Sequence, residues 1–160
     1  MKQLITMRLG AAGFAQHWKH CDLVANYLAT FTSELLHKTD SHTNLVSTVL
    51  NELLEVVFRR NAEEGEIGIT LKSDLAQIVV EISVPVREGD HKFYQEMAEM
   101  VQRADRDDLY RQHLEEAIDD EHNLALSLLE LASSYEAVLQ VKDSTQDNML
   151  LLELPFRVES

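Results

Sequence analysis

The apolar positions of this chain change period along its length, and each change predicts a new element. Residues 2–9 alternate in part, which predicts a first strand ended by Gly10. From Phe14 to His37, apolar residues recur every three or four positions, as on one face of an amphipathic helix. The same spacing from Thr43 to Asn61 predicts a second helix.

The middle of the chain returns to alternation. Glu66 to Ser73 alternates apolar and polar residues, which predicts a half-buried strand. Leu75 to Val86 is rich in β-branched residues and predicts an interior strand, with Pro85 limiting its end. Because the link between the two strands is short, they are expected to form an antiparallel hairpin.

The second half of the chain predicts more helices and a closing pair of strands. The helices are expected over residues 91–104, 105–119 and 120–135, and the strands over 137–142 and 149–156. In the helix over 105–119, Leu109, Leu114 and Ile118 are expected to face inward. This element order predicts an α+β, two-layer α/β sandwich. Its sheet is expected to be mixed but mostly antiparallel, with helices on one face, in a single domain over residues 1–160.

Composition limits the classes of partner. The 160 residues are 45% hydrophobic, which is enough for a sizeable core. The formal charge is −14, from 28 acidic and 14 basic side chains. Such a surface repels phosphate backbones and anionic lipid, so we expect a protein partner, with no nucleic acid and no membrane. The polar N-terminus lacks the features of a signal peptide, and the expected location is cytoplasmic.

Metal and thiol chemistry find little support in the sequence. The single cysteine, Cys21, excludes an internal disulfide and is expected to be a small buried residue. His17 and His20 lie three residues apart beside it, but a tetrahedral zinc site needs a further ligand pair that the sequence does not offer. No metal site is therefore predicted.

One short motif carries a family resemblance. Residues 51–55, Asn-Glu-Leu-Leu-Glu, resemble the N-box of the GHKL (histidine-kinase-like) ATPase superfamily, and residues 124–156 resemble the region after its second glycine box. Segments 14–21 and 107–116 are similar to those of the small SiaB-like bacterial protein kinases. The resemblance implies the Bergerat fold of histidine-kinase ATPase domains and a role in bacterial signalling.

The resemblance also implies site residues. Glu52 stands where the family has its catalytic base. The positions that would contact ATP and its metal, here vestigial, are Asn51, Glu55, Ala125 and Ser127.

Three departures accompany these matches. The N-box asparagine that binds magnesium is replaced by Val56. Residues 81–86 lack the family's Asp-x-Gly-x-Gly box, and residues 123–128 contain no glycine, although close phosphate approach favours bare backbone.

These departures predict a regulatory protein-interaction domain with a degenerate, inactive ATP site and no cofactor. A homodimer through the first helix is also expected, because that helix is apolar over a wide arc. The alternative is an active serine/threonine protein kinase that uses ATP and magnesium, with Glu52 as base, on a small regulatory partner protein. An α+β binding protein unrelated to nucleotide enzymes is a third hypothesis.

Overall fold

The structure is a computed structural model of the chain. It describes residues 1–10, 20–61, 65–74, 77–85, 87–103, 105–115, 120–143 and 149–157. For residues 59, 61, 106, 113, 120–125, 127 and 143 it describes the backbone only. The predicted helix start at Phe14, together with His17, Trp18 and Ile118, lies outside the described residues.

Five strands form one sheet in the described part of the chain. They are β1 (Lys2–Gly10), β2 (Glu66–Ser73), β3 (Gln77–Pro85), β4 (Gln140–Asp143) and β5 (Met149–Arg157). Their spatial order is β1-β2-β3-β5-β4, and every neighbouring pair is antiparallel. The predicted α+β sandwich is confirmed, and the described sheet is antiparallel throughout rather than mixed.

Five helices accompany the sheet in the residues that the structure describes. They are α1 (Cys21–Leu35), α2 (Asp40–Asn61), α3 (Asp90–Val101), α4 (Arg106–Glu115) and α5 (Asp120–Tyr135). The bounds of α5 are those predicted, whereas α2 begins three residues before Thr43. The end of α1 is set by His37, whose φ of 54° is left-handed, and by the Lys38 N–H, which donates to the Ser33 carbonyl at 2.8 Å.

The core lies between one face of the sheet and the helices. The inward-facing residues of the three central strands are Ile67, Ile69, Leu71, Ile78, Val80, Ile82, Val84, Leu150, Leu152, Leu154 and Phe156. They share one apolar cluster with α2 residues that include Leu50, Leu53 and Val57. The alternate strand residues form the other face, where Thr70, Glu81 and Glu153 are only half-buried. Burial of this apolar set is the main stabilising contribution to the fold.

The prediction that Leu114 faces inward is wrong. Its residue surface is 57% exposed, whereas Leu109 and Tyr110 of the same helix pack against the core. The described part of α4 ends at Glu115, and residues 116–119 lie outside the described residues, so the predicted extension of the helix to residue 119 stays a prediction.

Candidate functional site

The polar side of α2 holds the three acidic and amide positions that the sequence singled out. Asn51, Glu52 and Glu55 are all half-buried. Because successive helical residues turn by about 100°, Asn51 and Glu55 stack one turn apart on the same side. Glu52 projects about 100° away from Asn51 and lies in line with Val56. Glu52 and Glu55 are three residues apart and are therefore also neighbours on the helix surface.

Val56 occupies the position where the resembling family has its magnesium ligand. It is 1% exposed and belongs to the apolar core cluster, one turn after Glu52. Magnesium requires hard oxygen ligands, and an apolar environment strongly disfavours an unpaired charge. The Val56 position is therefore a packing position of the core.

Asn51 faces the contact between α1 and α2. One turn earlier, the Ser47 hydroxyl donates to the Asn26 amide oxygen of α1. The Asn51 Oδ1 atom is buried and has no hydrogen-bond partner among the residues described. A buried acceptor left unpaired costs about 1–3 kcal/mol, so Asn51 is a local weak point of this helix pair.

A buried polar pair lies at the other end of the contact between α1 and α2. The Ser33 hydroxyl and the His42 Nδ1 atom lie 2.7 Å apart and join the end of α1 to the start of α2. Burial lowers the pKa of His42 below 6.5, and the nearby positive charge of Lys38 lowers that pKa further. This pair is a pH-sensitive element that the sequence motifs did not indicate.

Ala125 and Ser127 lie inside α5, on a stretch whose side chains are not described. They are the sixth and eighth residues of a helix that begins at Asp120. Only the first four N–H groups of a helix are free for a ligand, so the N–H groups of Ala125 and Ser127 belong to the internal hydrogen-bond ladder. A phosphate cradle of free backbone N–H groups does not form at these two positions.

The acid within residues 81–86 is Glu81, and it lies on the sheet face opposite the core. Its Oε1 atom accepts from the Lys72 ammonium at 2.7 Å. Its neighbour in the sequence, Ile82, is fully buried and points to the helices. Side chains alternate across a strand, so Glu81 cannot reach a site between the helices and the sheet.

One buried acid of the described residues makes several contacts that the sequence motifs did not indicate. Asp90, 1% exposed, accepts from Arg60 Nε at 3.0 Å, from the Arg87 backbone N–H at 3.0 Å, and from Arg87 Nε at 3.4 Å. Arg60 also lies over the Phe93 ring, 4.4 Å from its centroid. Burial, and then the Asp90 charge, raise the pKa of the Tyr94 hydroxyl.

These contacts join the end of α2 to the start of α3. Arg87 reinforces them, because its guanidinium donates to the Arg60 carbonyl. In the sequence, the only signals were an arginine at a helix end and an acid after Gly89. That the two residues form a pair is evident only from the fold. The carboxylate is already bound by both arginines, so we interpret the cluster as a structural clamp.

A shallow cleft of about 280 Å³ lies between α4 and α5. Its lining residues are Asp107, Tyr110, Arg111, Glu130, Ser133 and Ser134. The Ser133 hydroxyl donates to Asp107 at 2.8 Å, but an imidazole base is not among the lining residues. A serine held only by an exposed carboxylate lacks the activation that nucleophilic catalysis requires. Across the described ranges, no group of three or more histidine, cysteine or acidic residues is placed to hold a metal ion.

Comparisons with known proteins give a likeness of fold. No protein-family model matches the chain, and no curated protein matches it. A chain in the crystal structure of the SiaB-SiaC complex from Pseudomonas aeruginosa matches with a TM-score of 0.62 at 15% sequence identity. The match covers 98% of this chain and 91% of that chain. Among the described helices, none has both the length and the apolarity that crossing a membrane requires.

Proposed function

We propose that this chain is a regulatory protein-interaction domain of bacterial signalling, with a histidine-kinase-like ATPase fold and a degenerate ATP site. The observation that carries the proposal is the burial of Val56 in the apolar core, where the resembling family binds magnesium. The likeness to a chain of the SiaB-SiaC complex supports a protein partner, because that structure is an assembly of two proteins.

Two further features support loss of nucleotide binding. Glu81 is bonded to Lys72 on the outer sheet face, so the region of the missing aspartate box offers no carboxylate toward the helices. At the other expected contact, Ala125 and Ser127 lie beyond the first turn of α5. Adenine, phosphate and metal would each lack the group that usually binds them in this fold.

The proposed partner is a SiaC-like protein with a basic contact surface. The chain carries a formal charge of −14, which accelerates encounter with a basic surface and disfavours an acidic one. The partner contact would then weaken as salt is added, because exposed charges are screened over about 8–10 Å at physiological ionic strength.

The test combines nucleotide binding with partner binding. Calorimetry with ATP is expected to give no heat of binding, with or without magnesium. A SiaC-like protein from the same organism is expected to co-elute with the chain in size-exclusion chromatography without nucleotide. Magnesium-dependent ATP binding would contradict the proposal of a degenerate ATP site. Failure to form the complex would contradict the proposal of a SiaC-like partner.

The kinase alternative has its own readout in the same mixture. Half-exposed Glu52 is the retained candidate base. Transfer of labelled phosphate from ATP to the SiaC-like protein would establish this alternative if Glu52→Gln abolished the transfer. Glu99→Gln, which changes an exposed acid of α3 outside the candidate site, is the control and should leave any such transfer unchanged. The proposed function predicts no transfer by any of the three proteins.

A further inference from the structure

The first strand of the sheet has one unpaired edge. β1 pairs with β2 on one side, and among the described residues no strand pairs with its other side. It spans nine residues, whereas β4, the strand at the opposite edge of the sheet, spans four. Alternate residues of an edge strand direct their N–H and C=O groups away from the sheet, so β1 offers about four such residues to a further strand.

The two cations of β1 lack acidic partners. Lys2 and Arg8 are exposed, and neither forms an ion pair within the part of the chain that the structure describes. Arg8 stands opposite Gly68, which has no side chain to contact it. Apart from Lys38, the other lysine and arginine side chains that the structure describes each pair with an acid, and these are Arg60, Lys72, Arg87, Lys92, Arg103, Arg111, Lys142 and Arg157. The first acid of the sequence is Asp22, so β1 forms a basic edge on a chain of net charge −14.

The side chains of β1 differ between its two faces. Ile5, Met7 and Leu9 pack against the core but are only half-buried. Thr6 and Arg8 are exposed on the outer face, where they stand opposite polar or small residues of β2. A strand added at this edge would cover the three apolar residues with every second side chain and present the alternate side chains to Arg8. The edge therefore fits an extended segment in which apolar residues alternate with acidic ones.

Like charges disfavour a second copy of β1 at this edge. An antiparallel pair of β1 strands centred on Ile5 would set Lys2 of each copy opposite Arg8 of the other. A parallel pair in register would set each cation beside its own counterpart. Like charges directly opposite each other destabilise a strand pair, whereas opposite charges stabilise it. The charges that protect the edge from pairing with itself therefore favour an acidic partner.

We propose that the unpaired edge of β1 is a strand-addition site for an extended acidic segment of another protein. The segment pairs with β1 through backbone hydrogen bonds, and its apolar side chains extend the core beside Ile5, Met7 and Leu9. Its carboxylates bind Arg8 and, at the other end of the strand, Lys2. The ATP region and the acidic surfaces proposed for a SiaC-like protein play no part in this site, so its test is independent of the proposed function.

A labelled seven-residue peptide that alternates valine and glutamate is the probe. Fluorescence anisotropy with the full chain is expected to show saturable binding with a dissociation constant below about 1 mM. A peptide with lysine in place of glutamate should bind at least about tenfold more weakly, because it brings like charges to the edge. A glutamate peptide that is N-methylated at every interior amide should not bind, since it cannot donate hydrogen bonds to β1.

Variants and hydrogen exchange locate the binding site. Arg8→Glu should weaken binding of the glutamate peptide by about tenfold, because an attraction becomes a repulsion. Arg111→Glu on α4 makes the same change in net charge at an exposed arginine and is the matched control, which should leave binding unchanged. Bound peptide should slow hydrogen exchange of the amides in residues 2–10. Circular dichroism checks that each variant is folded, and Arg8→Gln, with a loss of about threefold, replaces Arg8→Glu if the latter unfolds.

Several outcomes would overturn the proposal. One is the absence of binding by the glutamate peptide at millimolar concentration. Others are equal binding of the lysine peptide, equal weakening by Arg8→Glu and Arg111→Glu, or binding without slower exchange in residues 2–10. A wild-type chain that dimerises with residues 2–10 already protected before peptide is added would show that a second copy occupies the edge, and this too would overturn the proposal.

Discussion

Glu81 on β3 and Glu153 on β5 stand directly opposite each other on the outer face of the sheet. Each carboxylate is bound by a lysine from its outer neighbouring strand. Lys72 Nζ lies 2.7 Å from Glu81, and Lys142 Nζ lies 2.6 Å from Glu153. Like charges directly opposite each other destabilise a strand pair, so the two lysines offset a repulsion that the register imposes. The result is a line of four charges across β2, β3, β5 and β4, with the two glutamates in the middle and one lysine at each end.

Removing one lysine should reveal that repulsion. Lys72→Met is expected to lower the free energy of unfolding by about 0.5–1 kcal/mol, because Glu81 would then face Glu153 without its partner. Adding Glu81→Gln should recover most of the loss, and urea unfolding measures both changes. Lys92→Met is the control, since its 3.9 Å pair with Glu96 is largely exposed. If Lys92→Met lowered the free energy of unfolding as much as Lys72→Met, repulsion between Glu81 and Glu153 would not explain the loss.

The Asp90 clamp should contribute more than any surface pair. Asp90→Asn is expected to cost about 2–3 kcal/mol, the range of charge-assisted hydrogen bonds, because both arginines lose an anionic acceptor. A larger loss is not expected, since Arg60 and Arg87 are more than a third exposed and can regain water. The control is Asp105→Asn, which breaks an exposed pair with Arg103. Chemical unfolding should show less than about 1 kcal/mol for that change.

The local sequence pattern predicted the helices and strands of this fold better than it predicted which strands lie side by side. Alternation in Glu66–Ser73 and the short link after it were enough to predict the β2–β3 hairpin. Alternation does not encode which strand lies beside which, so the placement of β5 between β3 and β4 could not be predicted. The end of α1 was also missed, because His37 takes a left-handed conformation without being glycine.

Candidate-site residues were harder to predict because a motif records spacing and not direction. Val56 is recognisable in the sequence as an apolar residue, but its burial follows only from the packing of α2. The Asp90 clamp joins residues 60, 87 and 90 and has no local signature. The first helix is a related case, since its helical spacing of apolar residues does not show that Phe31 and Leu35 are exposed.

His42 gives the fold a specific dependence on pH. Its pKa in the folded chain lies below 6.5, whereas the unfolded chain has the ordinary value. As pH falls through the interval between these two values, the unfolded state binds the proton first, so stability decreases. His42 therefore makes its full contribution to stability above about pH 6.5. Once the pH is below the pKa of His42 in the folded chain, this residue causes no further loss of stability.

Denaturant unfolding of the wild-type chain and of His42→Gln between about pH 8 and pH 5 isolates this contribution. The glutamine can still bond to Ser33 but does not titrate. The wild-type stability should fall relative to that of the variant as pH decreases. Parallel curves for the two proteins would contradict the assignment to His42.

Restoring the family's asparagine at position 56 should not restore nucleotide binding. Val56→Asn would place an amide in the apolar core, with an expected loss of about 2–4 kcal/mol in the free energy of unfolding. Under the proposed function, calorimetry of this variant should show no ATP binding, because residues 81–86 lack the family's aspartate box and residues 123–128 contain no glycine. Val56→Ala is the control that measures lost packing without a buried amide, and it should destabilise less. Magnesium-dependent ATP binding by folded Val56→Asn would instead mean that the adenine and phosphate contacts are intact and that Val56 alone blocks the site.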